Sequence, residues 1–229
     1  MGLAAREPAM LSRSRPSVQS APSSRQRRWS GRLDVLNSIQ VQDRRLARAV
    51  HALPWEHFET PWSPLSAPRL NAMVRMLEAL SLNGCESVLE IGTGAGYRAA
   101  LLGQLATHVF SLEISEAVAA SARQRLKRAG CDNVDVITSD GSLGFAGGGA
   151  YDAILVGCAC PDVPNQLIHQ LAEGGRLVLP LGDAMGQLIV RLRRRVLAVE
   201  STTVAPCTLA PLKLRRERCS SLPWLQVPS

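Results

Sequence analysis

Three glycines and three acids carry most of the chemistry this sequence offers. In "VLEIGTGAGY", Val88 to Tyr97, the glycines Gly92, Gly94 and Gly96 alternate with small residues just behind Glu90. Glycine takes positive φ without penalty and lets a ligand approach the backbone closely. A second acid, Glu113 in "VFSLEIS", follows about 20 residues past the loop, the spacing at which a carboxylate accepts hydrogen bonds from ribose hydroxyls in dinucleotide folds. A third, Asp140 in "ITSDGSLG", stands beside Gly141. Each has a plainer reading. Glu113 also suits a helix cap, and Asp140-Gly141 a turn. The nicotinamide fingerprint is G-x-G-x-x-G, and here the third glycine comes one residue early, which argues against that cofactor. Ser66, in "SPLSAPRLNAM", raises a separate question. Its hydroxyl either caps the helix that Pro68 enters or faces a ligand.

These residues need elements to position them. Asp43 is placed to cap a helix over Arg44 to Leu53. Prolines at 54, 61, 64 and 68 punctuate a connector. A helix is predicted over Ala67 to Leu80, with Leu70, Met73, Val74, Leu77 and Leu80 on one face. The periods then change. Strands are predicted at Val88–Ile91, His108–Glu113, Val134–Thr138, Tyr151–Val156 and Arg176–Leu181. Helices are predicted at Tyr97–Leu105, Ser115–Ala129 and Pro164–Leu171, the last closed by Gly174-Gly175. Gln187–Arg193 and Val196–Val204 read as a late strand pair. Alternating strands and helices imply a doubly wound α/β fold with a mostly parallel sheet covered on both faces. Glu90, Glu113 and Asp140 then fall at the carboxyl ends of successive strands, where such sheets bind ligands.

The chain has 229 residues and a net charge of +7, enough length for one such domain with a full core. The charge is unevenly placed: +6 over residues 1–32, −5 over 33–190 and +6 over 191–229. Basicity therefore belongs to the ends, which read as solvated tails rather than a nucleic-acid arm. Residues 1–32 are rich in Ser, Arg and Pro with little to bury, and disorder is expected there; the composition also fits an organelle transit peptide. The six cysteines form no C-x-x-C pair and have no His at zinc spacing, so no metal is expected and free thiols in a reducing compartment are the default. No apolar run is long enough to span a membrane, and no signal-peptide core follows the start. A cytoplasmic location follows as an expectation.

The G-x-G-x-G form behind an acid resembles motif I of the S-adenosylmethionine-dependent methyltransferases, a class I Rossmann-like fold. Longer stretches, "VLEIGTGAGYRAALLGQL", "DNVDVITSDGSLGF", "YDAILVGCACPDVPNQLIHQLAEGGRLVLPLG" and "SAPRLNAMVRMLEAL", are similar to the protein-L-isoaspartate O-methyltransferase family, from about Leu36 to Val190. The resemblance implies S-adenosylmethionine as cofactor, held by Glu90, Gly92, Thr93, Gly94, Gly96, Glu113, Ile114, Asp140 and Gly141. In it Glu90 faces the amino group of the methionine portion, Glu113 the ribose and Asp140 the adenine amino group. It implies methyl transfer to the α-carboxyl of L-isoaspartyl residues in damaged proteins, with Ser66 contacting that carboxyl. A monomer is expected, without nucleic acid or membrane as partner. Together these readings divide the chain into a basic tail (1–32), a substrate-side helical segment (33–82), a cofactor-binding domain (83–206) and a second basic tail (207–229). Two departures stand out. Only seven residues, "ETPWSPL", separate Phe58 from Ser66, where the family has a longer segment, and Asn71 replaces a common His. They keep open a different peptide acceptor, or cofactor binding without turnover.

Overall fold

Asp43 opens the first helix, α1 (Arg44–Ala52), by accepting hydrogen bonds from the amides of Arg45 at 2.7 Å and Leu46 at 3.2 Å. These are two of the donors a helix start leaves unpaired. The computed structural model describes residues 41–53, 55–58, 60 and 67–212. The expectations for residues 1–32, for Ser66 and for residues 213–229 lie outside the described residues.

A short 3-10 turn (Trp55–Phe58) follows α1. Helix α2 (Ala67–Leu80) has the predicted bounds, and Leu70, Met73, Val74, Leu77 and Leu80 are all buried. Three strand–helix units come next: β1 (Ser87–Ile91) with α3 (Tyr97–Leu105), β2 (His108–Glu113) with α4 (Glu116–Arg128), and β3 (Val134–Thr138) with two 3-10 turns. The chain ends in β4 (Tyr151–Val156), α5 (Asn165–His169), β5 (Leu171–Asp183), β6 (Gly186–Arg195) and β7 (Ala198–Cys207). The strands form one seven-stranded sheet in the order β3-β2-β1-β4-β5-β6-β7. Strands β1 to β5 run parallel, and β6 and β7 return antiparallel, as the late strand pair requires.

The order matters for the site. From β1 the chain builds outward through β2 and β3, then crosses to β4 on the other side. Ligands bind in such sheets outside the carboxyl ends of the strands flanking that reversal. Strand β1 is the rigid centre: Val88 and Leu89 are fully buried and Ile91 nearly so. Each such side chain contributes about 1.5–3 kcal/mol by leaving water. Leu89, Ile91, Ile154, Val156, Leu177 and Leu179 join one core with Leu167 of α5.

Strand β7 starts at Ala198 and runs to Cys207, where Val196–Val204 is predicted, because Val196 and Leu197 form the turn from β6; the helix before β5 departs further. The helix predicted over Pro164–Leu171 stops at His169, and Leu171 already belongs to β5. Leu171 pairs with Tyr151, but the next pair is Arg176 with Ala153, so the intervening residues bulge out of the ladder. Gly174-Gly175 forms this bulge instead of closing a helix. Gly174 has φ of 74°, and a Cβ on Gly175 would sit 2.8 Å from the Ala172 carbonyl oxygen.

Candidate functional site

The loop between β1 and α3 is held open by its glycines: Gly92, Gly94 and Gly96 have φ of 89°, 56° and 93°. Nothing lies within 4 Å of where a Cβ on Gly94 would stand, so the backbone there faces free space. The loop is fastened at both ends. Gly92 and Thr93 donate to the Leu112 carbonyl of β2 at 2.8 and 3.2 Å, and Gly96 donates back to the Thr93 carbonyl at 3.0 Å.

Beneath the loop lies a buried polar network. Glu90 is fully buried in β1. Arg98, from the first turn of α3, donates Nε to Glu90 Oε1 at 2.6 Å and Nη2 to the Gly92 carbonyl at 2.6 Å. The β1–β2 register sets Ser111 opposite Glu90, and Ser111 Oγ donates to Glu90 Oε2 at 2.5 Å. Ser111 has then spent its one proton, so Thr93 Oγ1 donates to Ser111 Oγ across the 2.6 Å between them. Burial pushes the Glu90 carboxyl up, while Arg98 and Ser111 pull it the other way. Glu90 thereby sets both the carbonyl of Gly92 and the side chain of Thr93.

Glu113, at the end of β2, accepts from the amide of Gly94 at 3.0 Å through Oε2 and from that of Ser115 at 3.1 Å through Oε1. Both plain and chemical readings of this residue are therefore compatible. It braces the loop and the start of α4, and each carboxylate oxygen keeps a further lone pair for a ligand hydroxyl. Asp140 accepts from the Ser142 amide at 3.0 Å and caps the 3-10 turn Gly141–Leu143. Gly141 is buried against Ile91 of β1.

A cavity of about 380 Å³ opens over the loop, within the range of small-molecule sites. Gly92, Thr93, Gly94, Gly96 and Glu113 line one wall. Glu90, Ile114, Asp140 and Gly141 do not line it; Ile114 is half-buried between Glu113 and the cap Ser115. Arg69, Met73 and Met76 of α2, one helical stripe at i, i+4 and i+7, also line it, as does Phe58, whose ring lies against Gly96. Phe58 packs on Tyr97 with ring centroids 5.6 Å apart. In the sequence Met73 belongs to the apolar face of α2 and Arg69 carries no signal of its own beyond the stripe's spacing. Cys158, after β4, also lines the cavity. Its neighbour Cys160 is a poor nucleophile, because burial and Cys158 push its thiol up to about 11. Leu209 and Ala210 complete the wall. The sequence reading gives them to the basic tail, but this segment is stitched to the stretch after β4: Ala159 donates to the Ala210 carbonyl, and Leu212 to that of Ala159, each at 2.8 Å.

The site fits S-adenosylmethionine. The open glycine bend admits a ligand edge, an acid stands at the neighbouring strand end, and Met73, Met76 and Phe58 offer an apolar wall to the uncharged parts. Among the described residues no group of three His, Cys, Asp or Glu has metal-binding geometry, and no helix is long and apolar enough to cross a membrane.

Comparison with known proteins gives a consistent picture. The family model for "Protein-L-isoaspartate(D-aspartate) O-methyltransferase (PCMT)" matches residues 41–217. A protein-L-isoaspartate O-methyltransferase from Koribacter versatilis (strain Ellin345) is 44% identical over 166 residues, 72% of each chain. A solved protein-L-isoaspartate O-methyltransferase superposes with a TM-score of 0.69 at 24% identity, covering 80% of this chain and 65% of that one. A Plasmodium falciparum structure described as a "putative protein-L-isoaspartate O-methyltransferase beta-aspartate methyltransferase (PCMT)" in complex with S-adenosyl-L-homocysteine gives 0.63 at 16% identity, covering 81% and 95%. These two structural likenesses bear on the fold.

Proposed function

The chain belongs to the protein-L-isoaspartate(D-aspartate) O-methyltransferase family, and from that premise we propose that it methylates the α-carboxyl of L-isoaspartyl residues in damaged proteins. The observation that carries this reading is the cavity itself: a glycine bend at the end of β1 beside an acid at the end of β2, in a chain 44% identical to a curated member over most of its length. S-adenosylmethionine supplies an electrophilic methyl on a sulfonium, so that the acceptor oxygen gains the methyl as the sulfur–carbon bond breaks and leaves a neutral thioether.

The protein's own task is positional. The acceptor carboxylate is ionised near neutral pH, so no strong general base is required. Holding it in line and excluding water accounts for the rate. In this reading Gly92, Thr93, Gly94 and Gly96 admit the donor against backbone, and Glu113 accepts from its ribose hydroxyls. Asp140, with Ile114 and Gly141, frames the adenine end, which extends past the cavity's own lining toward the end of β3. Glu90 acts at one remove, by fixing Arg98 and Thr93. Ser66, three residues ahead of Arg69 in sequence, orients the acceptor carboxyl. Domain limits follow the same logic: a substrate-side segment over 33–82 and a cofactor domain from 83, extended here past β7 to the Leu209–Ala210 wall. A monomer in the cytoplasm is the working form.

The test is a repair assay. An isoaspartyl peptide incubated with protein and S-adenosylmethionine is expected to pass through a methyl ester to a succinimide and then partly to the aspartyl isomer, resolved by chromatography. Unchanged peptide under conditions where the protein binds S-adenosylhomocysteine would favour a cofactor-binding homologue without turnover. Replacing Ser66 with Ala is expected to lower transfer more than cofactor affinity.

A further inference from the structure

Two cations line the cavity, and the structure treats them differently. Arg98 is committed: its guanidinium is paired with the fully buried Glu90 and bonded to the Gly92 carbonyl. Arg69 has no hydrogen bond or salt bridge among the described residues, and its side chain is exposed at the α2 side of the cavity. The one acid on the wall, Glu113, is spent on the amides of Gly94 and Ser115. Nor does the helix explain Arg69. A cation in the first turn opposes the helix dipole, and α2 has no acid there to offset it.

We infer that Arg69 is the carboxylate-binding cation of the transfer site. The inference rests on the methyl-transfer reading and assigns a role to a residue which that reading leaves idle. The ternary complex brings two carboxylates to this cavity, the amino-acid carboxylate of the donor and the α-carboxylate of the isoaspartyl acceptor. A guanidinium meets either with two parallel N–H donors, a geometry Lys does not reproduce. On the acceptor the contact has a further consequence. Methylation removes the negative charge, so the product ester loses the charge-assisted bond that held the substrate, which favours release. Arg69 is a positioning residue in this role, because it moves no proton and breaks no bond.

The experiment compares wild type, Arg69→Ala and Arg69→Lys, with circular dichroism confirming the fold. Each carboxylate has a matched ligand that lacks it: decarboxylated S-adenosylhomocysteine for the donor, and a peptide with an α-carboxamide in place of the isoaspartyl carboxylate for the acceptor. Arg69→Ala is expected to weaken one carboxylate ligand about 10- to 100-fold while leaving its matched partner unchanged, with Arg69→Lys between the two. A selective loss of S-adenosylhomocysteine affinity identifies the donor carboxylate. A rise in KM for the isoaspartyl peptide at near-constant kcat, with carboxamide inhibition unchanged, identifies the acceptor. Equal weakening of matched ligands, or no change in any, overturns the inference. Wild type that binds S-adenosylhomocysteine without methylating the peptide sinks the transfer reading alone, since the donor arm still reports on Arg69.

Discussion

Glu90 and Arg98 show how an acid visible in the sequence acquires a role the sequence does not display. Glu90 has the position of a donor-facing acid, but its side chain turns under the loop to partners eight and twenty-one residues away. Those contacts depend on the β1–β2 register and the angle of α3, neither of which a linear motif encodes. Removing one partner of such a pair leaves an uncompensated buried charge. Arg98→Ala is expected to destabilise the fold by about 3–5 kcal/mol in urea denaturation, and the double change Arg98→Met with Glu90→Leu by less, since no orphaned charge remains. Glu113 was legible from its place at a strand end, and its two backbone bonds were not. Glu113→Ala is expected to weaken S-adenosylhomocysteine binding about 10- to 100-fold by calorimetry, the scale of one hydrogen bond to a charged group. Unchanged affinity would remove the ribose assignment.

At the scale of elements, periodicity located most boundaries. α2, α3, β2, β3 and β4 have the predicted limits; Ser81 follows α2, Ser139 follows β3 and Gly157 follows β4, residues that mark an element's end in the sequence itself. The helix before β5 was over-extended because Gly174-Gly175 reads equally as a stop and as a bulge, and only pairing with β4 decides. The cap on α1 gives a direct test. Asp43→Ala is expected to cost about 1 kcal/mol in denaturation, with little effect on cofactor binding. The turn before β1 gives a pH test. Glu86 is buried and accepts from the amides of Asn83, Gly84 and Cys85, and from Arg176 at 3.1 Å. Burial raises its carboxyl, but these donors together hold it below the ordinary carboxylate range. The stability it contributes is therefore complete above that range and is lost as pH falls through the lowered folded value. Acid titration of the unfolding free energy should show this decline, and Glu86→Gln should flatten it.

Across the whole molecule, the sheet order converts separate strand ends into one cavity, with α2 and the segment after β7 closing it from the far side. The strand-end loops were readable in sequence because glycines and acids mark them. The closing wall was not, since Leu209 and Ala210 arrive from a stretch that composition alone assigns to a tail. A ligand that holds these parts together stabilises the folded state by mass action. At one hundred times its dissociation constant, S-adenosylhomocysteine is expected to add about 2.7 kcal/mol, read as a concentration-dependent rise in Tm. The most direct test of the account uses donor labelled in its methyl group and two peptides that differ only in an isoaspartyl or an aspartyl linkage. The account predicts base-labile label on the isoaspartyl peptide alone; label on both peptides equally, or on neither while the donor is bound, would contradict it.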